Sequence, residues 1–108
     1  MIGKEVHAII ERPLGSVHPN HKSIVYEVNY GYVPNVIGGD GEEQDVYVLG
    51  VDEPIEAFDG VVIAVIRRSN DNETKWVLAP KGQNFTDEEI LAKTHFQEKY
   101  FSIAVLRE

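Results

Sequence analysis

The stretch DGEEQDVYVLG, from Asp40 to Gly50, places four carboxylates within six residues at the start of an apolar run. The run itself, DVYVLGV (Asp45–Val51), is long enough for one strand and has no polar position after its aspartate. Such a run predicts a strand that is buried on both faces or that lines a barrel. The acidic loop in front of it has two explanations. It is either a solvated turn or a set of oxygen ligands for a divalent cation.

Four further segments read as strands, and one reads as a helix. The β-branched and aromatic segments are Lys4–Glu11, Ile24–Val33, Val61–Arg68 and Lys75–Pro80, separated by loops rich in Gly, Pro, Asn and Asp. The helix is TDEEILAKTHFQEKYF (Thr86–Phe101), which begins with a capping box of Thr86 and Glu89. SIAVLRE, at the end of the sequence, reads as a short strand or an extended tail. Strands in close succession followed by a helix predict a mainly β protein, a small barrel with one C-terminal helix.

Composition limits the functional classes. A length of 108 residues predicts a single domain over residues 1–108. The net charge of −8 argues against nucleic-acid and membrane partners, which require clustered Lys and Arg. The chain has no cysteine, so thiolate chemistry is excluded, and its first residues are strand-like rather than like a signal peptide. These features together predict a cytoplasmic protein.

The candidate metal ligands are carboxylates at three places in the sequence. Asp40, Glu42 and Asp45 lie where a glycine-rich loop meets the apolar strand, and Mg²⁺ favours such oxygen ligands. Asp71 and Glu73 lie in a polar turn before Lys75, and Glu11 ends the first strand. For each group the alternative is an ordinary solvated turn or surface charge.

Aromatic and histidine side chains are the other candidates. Tyr26, Tyr30 and Tyr32 recur at even spacing, which predicts one strand face that is either core or the wall of a polar cavity. His18 and His21 have loose metal-like spacing, and a surface loop is the alternative.

Four segments together resemble one known family. These are YEVNYGY (residues 26–32), DGEEQD (40–45), NETKW (72–76) and HFQEKY (95–100), in that order and spacing. The chain resembles the soluble, metal-dependent inorganic pyrophosphatases of the barrel-fold type. The resemblance implies a closed five-stranded OB-like barrel, homo-oligomers, and hydrolysis of pyrophosphate to two phosphates with Mg²⁺, or Mn²⁺ in its place.

The resemblance also implies roles for individual residues. Asp40 and Asp45 would hold the metal pair that activates water, and Glu42 would take a proton from that water. Asp71, Glu73 and Glu11 would hold further metals of the same cluster. Lys75 and the hydroxyls of Tyr30 and Tyr100 would contact phosphate, with Lys75 and Tyr30 also acting in catalysis.

The sequence departs from the family pattern mainly at residues that would bind phosphate. Glu42 stands where the family has aspartate, and Phe101 stands where it has lysine. The family segment that supplies a lysine, a glutamate and an arginine to the phosphates is shortened here to LGSVHPNHKSIV (Leu14–Val25). Candidates to replace those cations are Arg12, Lys22, Arg67 and Arg68. The sequence therefore predicts an inorganic pyrophosphatase. The alternative is a relict of the fold that binds a metal, a phosphorylated ligand or a protein partner without efficient catalysis.

Overall fold

Six strands and one helix make up the fold of the residues that the computed structural model describes, which are 1–69 and 73–107. The strands are β1 (Glu5–Arg12), β2 (Asn29–Ile37), β3 (Glu43–Val48), β4 (Ala57–Arg68), β5 (Thr74–Ala79) and β6 (Ile103–Leu106). The helix α1 (Asp87–Glu98) lies between β5 and β6 in sequence. No helix in the described ranges has the length and hydrophobicity that a membrane span requires.

Five of the strands close into a barrel. Their order is β1-β2-β3-β5-β4, and β1 also pairs with β4. Closure is possible because β4 is 12 residues long: it pairs with β1 through Ala57–Val61 and with β5 from Val61 onwards. β6 pairs with the end of β4 and lies outside the ring. The predicted fold, mainly β with a closed five-stranded barrel and one C-terminal helix, is confirmed, and SIAVLRE supplies the extra strand.

Successive side chains of β3 and of Leu49, the residue after it, enter two different apolar clusters. Val46 and Val48 belong to a cluster with members from all five barrel strands and none from the helix, which is the barrel interior. Tyr47 and Leu49 belong to a second cluster that includes Ile90 of α1. We call this second cluster the helix-side cluster, and the barrel surface under it the helix-side face. The strand is therefore buried on both faces, as its uninterrupted apolar run predicts.

The second strand begins later than the sequence predicts. It was expected over Ile24–Val33, but β2 starts at Asn29. The preceding residues pair instead with the loop after β1: Tyr26 N donates to Ser16 O at 2.8 Å, and Val17 bridges Val25. Alternation of apolar residues cannot separate a barrel strand from a segment that folds back as a small hairpin. As a result, Tyr26 lies outside β2.

Gly31 allows the backbones of β1 and β2 to approach closely. A Cβ atom at this position would lie 1.9 Å from the carbonyl oxygen of Ile9. The contact lies next to an irregularity in the ladder, where Ile10 pairs with Gly31 but Arg12 pairs with the adjacent Tyr30. One extra β1 residue between those pairs is a β-bulge, which changes the direction of the side chains beside it.

The start of α1 agrees with the sequence. Thr86 Oγ1 accepts from Glu89 N at 3.1 Å, and Glu89 Oε1 accepts from Thr86 N at 2.8 Å, which is the predicted capping box. Phe85 packs against the helix-side cluster that contains Ile90, as expected for residues flanking a cap. The helix ends at Glu98, three residues before the predicted end at Phe101.

Candidate active site

Strand alternation brings several polar side chains to the helix-side face. Asp45 lies two residues before Tyr47 on β3, and Lys75 lies two residues before Val77 on β5. Because side chains two apart share a face of a strand, both point toward the helix-side cluster. Arg68 follows the same alternation on β4. Each of these residues is near a strand end, where the apolar cluster gives way to a polar cavity.

The cavity has a volume of about 520 Å³ and is lined by side chains of both charges. Its charged lining residues are Glu11, Asp45 and Glu73, and Arg12, Arg68 and Lys75. Its aromatic and histidine lining residues include Tyr30, Tyr100, Phe101, His18 and His21. The three cations distinguish this cavity from a purely acidic turn, because they suit a ligand that carries negative charge of its own.

Three carboxylates converge beside the cavity. Asp40, Asp45 and Glu73 each offer an oxygen, and these oxygens lie within 4.8 Å of one another. They come from the β2–β3 loop, from β3 and from the residue before β5, so the barrel pairing brings them together. A set of carboxylate oxygens is the donor type that Mg²⁺ and Mn²⁺ prefer. These residues therefore fit the divalent metal that the sequence predicts.

Lys75 places a buried cation against two members of this carboxylate cluster. Its Nζ donates to Asp45 Oδ2 at 2.8 Å, to the Tyr30 hydroxyl at 2.7 Å, and to Glu73. The lysine side chain is 4% exposed, so its charge is held in place and little screened by water. Lys75 holds Asp45 and Glu73 together by offsetting their mutual repulsion.

Tyr30 stays protonated in this setting. Burial raises the pKa of Tyr30, and the nearby Asp45 carboxylate raises it further. The side chain is therefore a neutral hydroxyl that accepts from Lys75, rather than a phenolate. A neutral hydroxyl can donate a hydrogen bond to phosphate, and the role of Tyr30 as such a group stays a prediction.

A buried ion pair connects α1 to the carboxylate cluster. Arg68 donates through Nε and Nη2 to the two oxygens of Glu98, at 3.0 and 2.7 Å, and through Nη1 to Glu73 at 2.9 Å. Its guanidinium also lies 3.6 Å from the centroid of the Phe101 ring. Glu98 is 1% exposed. Sequence reasoning missed Glu98, although Ile90, Thr94 and Glu98 share one helical stripe, and an acid on a buried stripe indicates a buried partner.

A chain of hydrogen bonds crosses the back of the cavity. Arg12 Nη1 donates to the Tyr26 hydroxyl, which donates to Gln97 Oε1 at 2.7 Å. Gln97 Nε2 donates to the Tyr47 hydroxyl at 2.7 Å, which donates to Glu98 Oε2 at 2.6 Å. Every donor meets an acceptor, so the directions of all four bonds are fixed. The helix thereby orients side chains on opposite sides of the cavity.

Other predicted site residues lie apart from the carboxylate cluster. Glu42 is exposed and does not line the cavity; its backbone N donates to Asp40 Oδ1 at 3.0 Å. Glu11 and Tyr100 line the cavity but are exposed, Tyr100 at 59%. The predicted ligand Asp71 lies outside the described residues. The roles assigned to these four residues stay predictions.

His18 and His21 face each other at the edge of the cavity, with ring centroids 4.9 Å apart. His18 Nδ1 accepts from Asn20 N at 3.0 Å, and burial, followed by the charges of Arg12 and His21, lowers the pKa of His18. Within the described ranges, Asp40, Asp45 and Glu73 form the one group of three or more potential ligands. Among the residues that the structure describes, no third ligand of this kind joins the two histidines.

Comparison with known proteins places this chain in a family. The family model described as inorganic pyrophosphatase matches residues 10–101. That range contains the carboxylate cluster, Lys75 and the Arg68–Glu98 pair. The chain belongs to the inorganic pyrophosphatase family, whose members are hydrolases of phosphoric anhydrides. The predicted family and enzyme class are therefore confirmed. No curated protein matches the chain.

Solved structures show the same fold at low sequence identity. An inorganic pyrophosphatase from Ehrlichia chaffeensis is 21% identical with a TM-score of 0.71, and the match covers 95% of this chain and 85% of that one. One from Coxiella burnetii is 20% identical with a TM-score of 0.67, covering 97% and 87%. One from Neisseria gonorrhoeae is 18% identical with a TM-score of 0.67, covering 98% and 81%. At these identities the likeness establishes the fold.

Proposed function

We propose that this chain hydrolyses inorganic pyrophosphate to two phosphates, with Mg²⁺ or Mn²⁺ held by Asp40, Asp45 and Glu73. The observation that carries the proposal is the convergence of these three carboxylates, within 4.8 Å of one another, beside a cavity with three cationic side chains. Family membership over residues 10–101 supports the same activity. Pyrophosphate is a polyanion, so a chain of net charge −8 requires bridging cations to bind it.

The metal, Lys75 and Tyr30 would have different roles in hydrolysis. When bound, a divalent metal lowers the pKa of its water toward neutrality and neutralises negative charge on phosphoryl oxygens. Lys75 presents a buried ammonium beside Asp45 and Glu73, where it would stabilise negative charge that moves onto the oxygens. The neutral Tyr30 hydroxyl would donate to a phosphate oxygen or a water. Phosphoryl transfer to water needs positioning and charge stabilisation rather than a covalent nucleophile.

Phosphate release from pyrophosphate tests the proposal directly. Purified protein with millimolar Mg²⁺ should release phosphate, and chelation of the metal should abolish the release. Asp45→Asn should lower turnover at least a hundredfold because it removes a charged member of the cluster, whereas the exposed Asp52→Asn, outside the cavity, should leave it unchanged. Wild-type protein inactive with every divalent metal tried would favour the alternative, a relict that binds without efficient catalysis.

Divalent metal should also stabilise the folded chain. Binding to the native state alone raises stability by RT ln(1 + [L]/Kd), which is about 2.7 kcal/mol at a hundredfold excess over Kd. We expect Mg²⁺ or Mn²⁺ to raise the melting temperature of wild type and of Asp52→Asn, but not of Asp45→Asn. If millimolar metal does not change the wild-type melting temperature, the acidic loop is a solvated turn rather than a metal site.

Localisation, assembly and further partners complete the proposal. The family resemblance supports a homo-oligomer, which sedimentation of the purified chain would detect. The net charge of −8 supports a protein without nucleic-acid or membrane partners, and a cytoplasmic location agrees with that charge and with the absence of cysteine. Fractionation of cells that express the chain would check the location.

A further inference from the structure

The three cations of the cavity differ in how their charges are compensated. Lys75 contacts Asp45 and Glu73, and Arg68 is paired with Glu98 and Glu73. Arg12 donates to the Tyr26 hydroxyl, and in the described part of the chain no carboxylate forms a salt bridge with it. Arg12 therefore brings a positive charge to the cavity wall that no described carboxylate neutralises by direct contact.

The β-bulge in β1 explains why Arg12 reaches the cavity. In a regular strand, adjacent side chains point to opposite faces. Glu11 and Arg12 are adjacent, yet both line the cavity. The ladder shifts at this point, from Ile10 opposite Gly31 to Arg12 opposite Tyr30. A bulge that redirects a side chain toward a cavity is a common feature of functional sites.

The guanidinium of Arg12 is also held in one orientation. Its Cζ lies 5.5 Å from the Tyr26 ring centroid and 5.6 Å from the Tyr30 ring centroid. The Tyr26 hydroxyl donates to Gln97, so its lone pair is directed at Arg12. Of the five N–H donors of an arginine, this arrangement uses one. No other hydrogen bond from the guanidinium to a described residue is formed, and Arg12 lines the cavity.

We propose that Arg12 is a phosphate-binding residue of this chain, donating to phosphoryl oxygens of the anion in the cavity. This inference rests on the proposed function, since pyrophosphate is the anion concerned. Lys75 Nζ and Arg12 Cζ lie 5.3 and 5.6 Å from the centroid of the Tyr30 ring, and both side chains line the same cavity, so both cations are on the wall that an anion in this cavity would meet. An arginine fork suits phosphate because it donates two parallel hydrogen bonds.

The other candidate cations do not have these properties. Arg68 is neutralised by Glu98 and Glu73. Arg67 and Lys22 are exposed and do not line the cavity. Four basic residues are candidates to replace the cations of the shortened segment. Among them, only Arg12 both lines the cavity and forms no salt bridge with a described carboxylate.

Calorimetric titration with inorganic phosphate and with pyrophosphate tests the inference. Arg12→Gln keeps much of the length of the side chain but loses its charge and fork, and it should weaken phosphate binding about tenfold or more. Arg12→Lys keeps the charge without the fork and should lie between Arg12→Gln and wild type. Arg67→Gln, at an exposed position on the same barrel, is the matched control and should bind like wild type. In hydrolysis, Arg12→Gln should raise KM more than it lowers kcat.

The outcomes separate this inference from the proposed function. Wild type that hydrolyses pyrophosphate, with both Arg12 variants binding phosphate like wild type, would overturn the inference and leave the function standing. Phosphate binding that depends on Arg12, in a protein that hydrolyses nothing, would support the inference and overturn the function. Wild type that binds neither anion overturns the inference. Melting temperatures establish that each variant is folded, and Arg12→Lys supplies the test if Arg12→Gln does not fold.

Discussion

Lys75→Ala is expected to lower the turnover of pyrophosphate by roughly a hundredfold or more, the scale of losing one preorganised electrostatic group. The ammonium of Lys75 contacts Asp45, Glu73 and the Tyr30 hydroxyl, and its side chain is 4% exposed. Negative charge shifts between oxygens as the phosphoanhydride bond breaks, so a fixed cation stabilises the transition state more than the bound substrate. Steady-state kinetics with saturating Mg²⁺ would measure the loss.

Two further variants separate charge from geometry at this position. Lys75→Arg should recover only part of the turnover, because a planar guanidinium cannot reproduce the contacts of a compact ammonium in so buried a place. Arg67→Ala removes a cation from an exposed position outside the cavity and should leave turnover unchanged. Full turnover in Lys75→Ala would show that the role carried over from the family to this lysine is wrong.

Glu98→Ala should lower the free energy of unfolding by about 3–5 kcal/mol, because it leaves the buried guanidinium of Arg68 without its main partner. Glu98 accepts from Arg68 through both oxygens and from the Tyr47 hydroxyl, and it is 1% exposed. Removal of a buried charge costs more than the pair contributes, since the remaining charge stays desolvated. Urea titration followed by circular dichroism would measure the change.

Matched variants identify the cause of that loss. Glu56→Ala removes an exposed glutamate and should change stability by no more than about 0.5 kcal/mol. Replacing both partners, as Arg68→Met with Glu98→Leu, should recover part of the stability because no charge is then left unpaired. A double variant no more stable than Glu98→Ala would indicate that packing, rather than the unpaired charge, explains the loss.

The Arg68–Glu98 pair also bears on catalysis. Arg68 holds Glu73, one of the three converging carboxylates, and Glu98 holds Arg68 from the end of α1. Arg68 is therefore a positioning residue for Glu73, the carboxylate that we propose as a metal ligand. Phe101, at the place where the family has lysine, lies against the guanidinium of Arg68 at 3.6 Å. An aromatic ring at position 101 thus supports a cation that comes from β4.

Local sequence patterns determined much of this protein. The apolar run after Asp45 specifies a strand buried on both faces, and the Thr86–Glu89 capping box specifies where α1 begins. These features follow from interactions between residues close in the chain, which periodicity and capping rules describe well. Asp40, Asp45 and Glu73 lie in motifs that point to metal ligands in the sequence, and the structure brings an oxygen of each within 4.8 Å of the others. Their role as metal ligands stays a prediction.

Only the tertiary structure decided which charges are paired and which face the cavity. Arg12 and Arg68 are equivalent as basic residues in the sequence, but Arg68 meets Glu98 of α1, whereas a β-bulge turns Arg12 into the cavity without a described carboxylate partner. The position of Tyr26 was likewise decided by hairpin pairing with the loop after β1. These outcomes depend on contacts between residues far apart in the chain, and the strand register and the burial of α1 set those contacts. A local pattern of side chains does not contain that information.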